Sequence, residues 1–252
     1  MGKDKQVLVI NPGSTSTKIA VFLGEKCVGS ASLFHSAEEV KKYSHISQQK
    51  DMRAEVIYNW LNVNDYTLES FDAVVGRGGL LRPMPGGTYK ITYKMLDDLV
   101  VGIQGQHASN LGGILAYEIA QKAGVPSYIV DPVAVDEVDE VTRISGMVDI
   151  PRLSLVHALN VKAVIRKVCE DNNLDFEKSN FVVAHIGGGI TVSPVKCGRI
   201  IDCNNANEDG PFSPERTGGL PVADLVKLAF SKKYTLQELK TKITREGGLV
   251  AY

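Results

Sequence analysis

The chain has 252 residues, with 28 basic and 29 acidic side chains and a formal net charge of −1, which leaves no nucleic-acid footprint. At 44% hydrophobic it is long enough for one large or two medium domains with real cores, and no apolar run is long enough to span a bilayer. The start, Met-Gly-Lys-Asp-Lys-Gln, lacks a signal peptide's apolar core, and Cys27, Cys169, Cys197 and Cys203 form no CxxC pair, so the chain reads as cytoplasmic with reduced thiols.

Val7 to Ile10 is a short apolar run that fits a strand buried on both faces. Asn11-Pro12-Gly13 breaks it, because Pro lacks an N–H and Gly permits a tight turn. Ile19 to Leu23 resumes as a second strand. Between them stand Ser14, Thr15, Ser16, Thr17 and Lys18, four hydroxyls and one ammonium. Backbone N–H groups of such a turn, with hydroxyls and a Lys, make a concave anion site suited to phosphate. An ordinary solvated hairpin tip is the alternative. It is weaker here because a buried strand leads straight into the polar cluster.

A third strand follows near Cys27 to Phe34, and Ser36-Ala-Glu-Glu39 reads as a capping box opening a helix. From Asp51 to Leu61 the spacing of Met52, Val56, Ile57, Trp60 and Leu61 is helical, with Trp60 in the core. Phe71 to Val75 is the next strand. It ends in Gly76-Arg77-Gly-Gly, and ligand sites in open α/β sheets lie at the carboxyl ends of strands, which marks Arg77. Arg82 to Gly87 is a rigid loop, Lys94 to Val101 a short helix, and Gln104 to His107 a polar turn. Ser109 caps a helix running to about Lys122, stopped by Gly124-Val-Pro126. Ser127 to Val130 is a strand that delivers Asp131 at its tip. The acidic run Asp136, Glu137, Asp139, Glu140 reads as a solvated face. From Arg152 to Asn172 apolar residues recur at helical spacing, placing His157 on a face with Leu153, Val156, Val161 and Val164. Such a His is by default a hydrogen-bonded core residue.

The opening design then occurs again. Phe181 to Ala184 is an apolar run, followed by His185-Ile-Gly-Gly-Gly189 and the strand Ile190 to Ser193. One offset matches Asn11 to His185 and Gly13 to Gly187, and Gly24 to Val28 parallels Gly198 to Asp202 as a second hairpin turn. Two such units suggest a duplicated domain, whose two turns would hold the phosphates of one nucleotide without a Walker loop. A long polar loop from Asn204 carries one cation, Arg216, near its end, and long structured loops are usually functional. Helices around Pro221 to Phe230 and Thr235 to Thr244 follow.

Asn11-x-Gly13-Ser14-Thr15-Ser16-x-Lys18 resembles the first phosphate motif of the acetate and butyrate kinase family, within the actin-like ATPase superfamily. The resemblance extends through Arg77 to Leu80, Pro83 to Gly87, His107 to Asn110, Val130 to Pro132, Val156 to Ala158, His185 to Gly189 and Gly210 to Gly218, and favours the butyrate branch. It implies an α/β chain of duplicated actin-like, ribonuclease H-like ATPase fold. Residues 1–150 would form an N-terminal domain with acid-substrate loops. Residues 151–252 would supply a linking helix and the first part of a nucleotide-binding domain. The family's later glycine-rich adenosine segment and a late Glu associated with the metal are not found, so the second half is expected to be incomplete and the chain shortened.

The implied chemistry is transfer of the ATP γ-phosphoryl, with Mg²⁺, to butyrate or a branched short-chain acid, giving an acyl phosphate. By resemblance the catalytic residues are Arg77, Asp131, His157, His185 and Arg216. Asn11, Ser14, Ser16, Lys18, Gly187, Gly188 and Gly189 would hold the nucleotide phosphates. Arg77, His107 and Asn110 would bind the acid, and Asp131 would act on the metal indirectly. Acetate kinases carry a His at the position of Arg77 and their arginine three positions earlier. A carboxylate is already ionised at pH 7, so no base is needed to activate it. The alternatives are an acetate or propionate kinase, or a chain that binds phosphate or acid without catalysis. A homo-oligomer is expected, with no nucleic-acid or membrane partner.

Overall fold

The computed structural model describes residues 4–207 and 209–252. Met1, Gly2, Lys3 and, in the long polar loop, Glu208 lie outside the described residues. The chain divides into two compact units, Met1–Ala134 and Val135–Tyr252. The segment 135–150, assigned to the first domain from sequence, is part of the second unit.

The first unit is built on β1 (Gln6–Pro12), β2 (Ser16–Leu23), β3 (Lys26–Phe34), β4 (Ala73–Arg77), β5 (Thr88–Lys90) and β6 (Ser127–Val130), in the order β3-β2-β1-β4-β6-β5. β1 pairs antiparallel with β2 and parallel with β4, and β4 pairs parallel with β6. Leu8, Ile10, Ile19 and Val21 share a core with Ile57 and Leu61 of α2 (Lys50–Val63) and Leu111, Leu115 and Ile119 of α4 (Asn110–Ala123). α1 (Ala37–Val40) and α3 (Tyr93–Val101) complete the unit.

The expectation that β1 is buried on both faces holds for one face. Leu8 and Ile10 are buried, whereas Val7, Val9 and Asn11 are only half-buried. Their side of β1–β3 opens as a groove of about 570 Å³ floored by small residues such as Ala20 and Ser30. α4 lies close on β4 through a pair of glycines: a Cβ on Gly76 would stand inside the Gly112 carbonyl, and one on Gly112 against the Arg77 carbonyl. That approach fixes the start of α4 beside the strand end that carries Arg77.

The C-terminal stop of α4 is as expected, with Gly124 left-handed at φ 70°. Ser109 does not cap α4 through its side chain; its Oγ is 2.7 Å from His107 Nδ1 instead. Ser36 Oγ accepts from Glu39 N at 3.1 Å, but the helix it opens is a single turn. The expected strand Phe71 to Val75 is shifted to Ala73–Arg77, because Phe71 is buried in the core and Asp72 accepts from Gln6 N at 2.8 Å. The short strand β5, which pairs antiparallel with β6, was not foreseen.

The second unit has a sheet of β7 (Asn180–Ile186), β8 (Ile190–Lys196) and β9 (Arg199–Ile200) in that order. Its core joins Val195 and Ile200 to Val161, Ile165 and Cys169 of α5 (Ala158–Asp171). α6 (Val222–Phe230) and α7 (Leu236–Thr244) follow, the latter opened by a capping box between Thr235 and Glu238. The helix expected from Arg152 begins only at Ala158. Arg152 donates to Thr142 O at 2.8 Å and Cys203 O at 2.9 Å, and Ser154 Oγ donates to Val135 O at 2.9 Å, which ties 152–157 down as a strap. His157 therefore sits at the N-terminal end of α5, not on its face.

The acidic run is less solvated than expected. Glu137 pairs with Lys162 at 2.7 Å, and their side chains are only 9% and 6% exposed. The other carboxylate oxygen of Glu137 accepts from Ile200 N at 3.0 Å. Asp136 is likewise engaged, by both terminal nitrogens of Arg143 at 2.9 Å.

Candidate functional site

In the first unit the candidates gather where β1, β4 and β6 end. The β1–β2 register sets Asn11 opposite Lys18, and Arg77 Nη1 donates to Asn11 Oδ1 at 3.4 Å, a long bond. Arg77 pairs with Val130 across β4 and β6, so Arg77 and Asp131 stand at adjacent strand ends. Burial lowers the Arg77 pKa from its ordinary value, although a guanidinium stays charged at neutral pH. Lys18 is exposed at the same end of the sheet.

The turn between β1 and β2 is tighter than expected. Gly13 N donates to Ser16 O at 2.7 Å, Ser14 and Thr15 form the exposed tip, and Ser16 already belongs to β2. Beneath it lies Arg53 of α2, fully buried. Its Nη1 donates to Gly13 O at 2.9 Å, Ser16 O at 3.1 Å and Thr17 Oγ1 at 3.0 Å, and its Nη2 donates to Ser14 O at 3.0 Å. Gln49 Oε1 accepts from Nε and Nη2 on the other side. Desolvation pushes the Arg53 pKa down to about 10, which still leaves it charged at pH 7. His35, also buried, places Nε2 2.9 Å from Thr17 Oγ1, and its backbone N donates to Thr15 O.

Asp131 is buried and left-handed, at φ 38°. Its Oδ1 accepts from Gly87 N at 2.8 Å while its own N donates to Gly87 O at 2.9 Å, so it pins the Pro83 to Gly87 loop. Asn110 is buried and bonds backbone at both ends of its amide. Oδ1 accepts from Leu80 N at 2.9 Å, and Nδ2 donates to Gly105 O at 3.0 Å and Leu99 O at 3.4 Å. His107 is exposed; Ser109 N donates to its Nδ1 at 3.2 Å, which makes Nε2 the protonated nitrogen of the neutral ring.

In the second unit, His157 and His185 come together as stacked rings, centroids 3.8 Å apart. Thr191 Oγ1 lies 2.8 Å from His157 Nδ1, and His185 Nδ1 donates to Asn160 Oδ1 at 3.0 Å. The Gly187–Gly189 turn closes with Gly187 N donating to Gly189 O at 3.2 Å. Arg216 stands against this turn, so close that a Cβ on Gly189 would fall 2.6 Å from Arg216 Nη1. Nη1 also donates to Ala206 O and Asn207 Oδ1, both at 2.7 Å. Ser213 links the pieces: its Oγ donates to Gly188 O at 2.6 Å and accepts from Arg216 N at 3.1 Å.

Sequence reasoning passed over Arg53, His35, Asn160, Thr191 and Ser213. Only Arg53 left a signal. It stands at the helical spacing of Ile57 and Leu61, so a cation lies on the apolar stripe of α2.

No protein-family model matches the chain. Over 248 residues, 98% of this chain and 70% of its relative, it is 54% identical to butyrate kinase 1 of Clostridium acetobutylicum. The chain belongs to the butyrate kinase family. Butyrate kinase 2 of the same organism is 53% identical over the same shares of both chains. A probable butyrate kinase of Listeria monocytogenes is 48% identical over 98% of this chain and 70% of its own length.

Solved structures agree on the fold. Porphyromonas gingivalis acetate kinase superposes with a TM-score of 0.75 at 20% identity, covering 98% of this chain and 69% of that one. A propionate kinase from Francisella tularensis gives 0.73 at 17% identity, over 98% and 70%. The mixed α/β butyrate kinase chain thus has the fold of these acetate and propionate kinases.

Proposed function

We propose that this chain works as a butyrate kinase, moving the γ-phosphoryl of ATP to butyrate or a branched short-chain acid to give an acyl phosphate. The observation that carries this reading is the family membership at 54% identity along 98% of the chain. The geometry of each unit supports it. Phosphoryl transfer demands alignment and charge stabilisation more than covalent help, and both units present cations and hydrogen-bond donors beside tight turns.

In the first unit the turn from Asn11 to Lys18 holds phosphate through Ser14, Ser16 and Lys18. Arg77 pairs with the acid's carboxylate, kept in place by Asn11. His107 offers Nε2–H to the acid, while Asn110 acts on the acid site through the two loops it ties together. In the second unit Gly187, Gly188 and Gly189 approach phosphate with backbone amides. His157 donates to phosphoryl oxygens, His185 does so from Nε2 as the imidazolium whose Nδ1 proton Asn160 accepts, and Arg216 stabilises charge on the group in flight. A planar guanidinium fits a phosphoryl group better than an ammonium does.

Mg²⁺ would arrive on the nucleotide. Among the described residues no group of three or more His, Cys, Asp or Glu could hold a metal alone. That suits Mg²⁺, which keeps waters and phosphate oxygens and needs only one or two carboxylates. Asp131, at the end of a buried strand, is the carboxylate that fits, acting on the ion's shell. When bound, the ion neutralises phosphate charge.

Among the described residues no helix is long and apolar enough to cross a membrane, and all four cysteines are free, which suits a reducing, cytoplasmic compartment.

The test is acyl phosphate formation from ATP–Mg²⁺, trapped as the hydroxamate, with butyrate, isobutyrate, valerate and acetate compared. A higher kcat/KM for the four- and five-carbon acids supports the proposal. An equal or higher value for acetate would move the assignment to the acetate type.

A further inference from the structure

Arg53 is buried in the first unit without a carboxylate among its bonded partners, all of which are neutral oxygens. A charge in that position is costly unless several hydrogen bonds hold it. An apolar residue in the same stripe of α2 would pack without that cost, so the arrangement calls for a reason beyond stability.

The carbonyls it collects supply the reason. A trans peptide is planar, and its N–H points opposite to its C=O. With Gly13 O and Ser14 O drawn inward onto the guanidinium, the N–H groups of Ser14 and Thr15 are turned outward. Successive amides facing one way form an anion-binding nest. The buried charge lies directly behind them and adds attraction for an anion at the tip, less screened by salt than a surface charge would be.

We propose that Arg53 is the positioning residue of the phosphate turn: it gathers the turn's carbonyls inward so that the Ser14 and Thr15 amides, backed by its charge, receive a nucleotide phosphate. The inference rests on the reading of this turn as a phosphate site. It makes Arg53 a residue that acts through the turn without touching the nucleotide. Lysine cannot replace it, because one ammonium cannot span the carbonyls of Gly13, Ser14 and Ser16 and still reach Gln49.

The test is titration of the ¹⁵N-labelled chain with inorganic tripolyphosphate, read at the Ser14 and Thr15 amides, for wild type and Arg53→Lys. Wild type is expected to show saturable shifts at both amides. Arg53→Lys keeps the charge, and it is expected to lose at least about tenfold in affinity there while resonances of residues 135–252 stay in place. A folded Arg53→Lys with wild-type affinity would overturn the role of Arg53 and leave the phosphate turn standing. No shift at Ser14 or Thr15 in wild type would overturn the turn's reading as well. If Arg53→Lys does not fold, Gln49→Met, which removes the bonds holding the guanidinium from behind, is read the same way. About threefold weaker binding is then expected, and unchanged binding refutes the proposal.

Discussion

The imidazole rings of His157 and His185 stack with planes only 10° from parallel, although one opens α5 and the other is the last residue but one of β7. Each ring is fixed through Nδ1, by Thr191 and Asn160 respectively. His185 Nε2 is turned toward the glycine turn, since a Cβ on Gly187 would come within 3.2 Å of it. Asn160 thus selects the His185 tautomer with the proton on Nδ1. Asn160→Ala removes one bond of about 1 kcal/mol made by both the Nδ1–H ring and the imidazolium, so the tautomer mixture is expected to shift toward Nε2–H and, with the charged donor less favoured, kcat to fall about five- to tenfold. Ring ¹⁵N shifts of His185 report the first effect without reference to activity. Unchanged shifts would rule out this role for Asn160.

Arg216 makes its contacts to one loop and one turn, outside the hydrophobic core. Arg216→Ala is expected to cost about 10³–10⁵ in kcat, the range seen when a phosphoryl-stabilising arginine is lost, with little change in thermal midpoint. Lysine at the same position should recover little, because it offers a point charge without the fork. Near-wild-type kcat for Arg216→Ala would take this residue out of the mechanism.

Glu137 and Lys162 form a buried ion pair in the second unit. Removing one partner of a buried ion pair strands the other charge, which typically costs about 3–5 kcal/mol. Lys162→Met is therefore expected to destabilise the second unit by that amount in urea unfolding. Lys162→Met with Glu137→Gln should recover a large part, because the amide is neutral and its oxygen can still accept from Ile200 N. A double variant as unstable as the single one would show that the charge is not the cause.

What the sequence disclosed follows from how local each signal is. The β1–β2 turn was legible because Pro12 and Gly13 interrupt an apolar run, and the end of α4 because Gly124 punctuates it. Asp131 was legible as the residue after a buried strand. The helix pattern from Arg152 misled because Val156 is buried as an α5 residue would be, yet it sits on a strap held by Arg152 and Ser154 side chains. Those bonds reach back to Thr142 and Val135 and forward to Cys203, which no local window contains. The pairing of His157 with His185 is likewise non-local. Arg53 breaks the apolar pattern of its own helix, a local mark of its contact with the turn forty residues earlier, but the partner it reaches is non-local and so was missed.

The layer beneath the β1–β2 turn buries a titratable group, His35, beside Arg53. His35 faces Arg53 with Thr17 between them, and Glu39 is near enough for its charge to act on the ring. Burial is the main cause lowering its pKa; the nearby Arg53 charge adds to this, and Glu39 opposes it. Arg53 donates to Thr17 Oγ1, and the threonine's own proton is free to donate to Nε2 of the neutral His35 ring. The folded pKa therefore lies below that of the unfolded chain, near ~6.5. Above pH ~6.5 His35 is neutral in both states and its full contribution to stability is present. As pH falls below that value the unfolded chain takes up a proton that the folded chain refuses, and stability is lost at up to about 1.4 kcal/mol per pH unit until the folded pKa is reached. His35→Gln can still accept from Thr17 but does not titrate, so its urea midpoint should fall less between pH 7.5 and 5 than that of wild type. Parallel midpoint curves for the two proteins would mean that His35 does not set the acid limit of this unit.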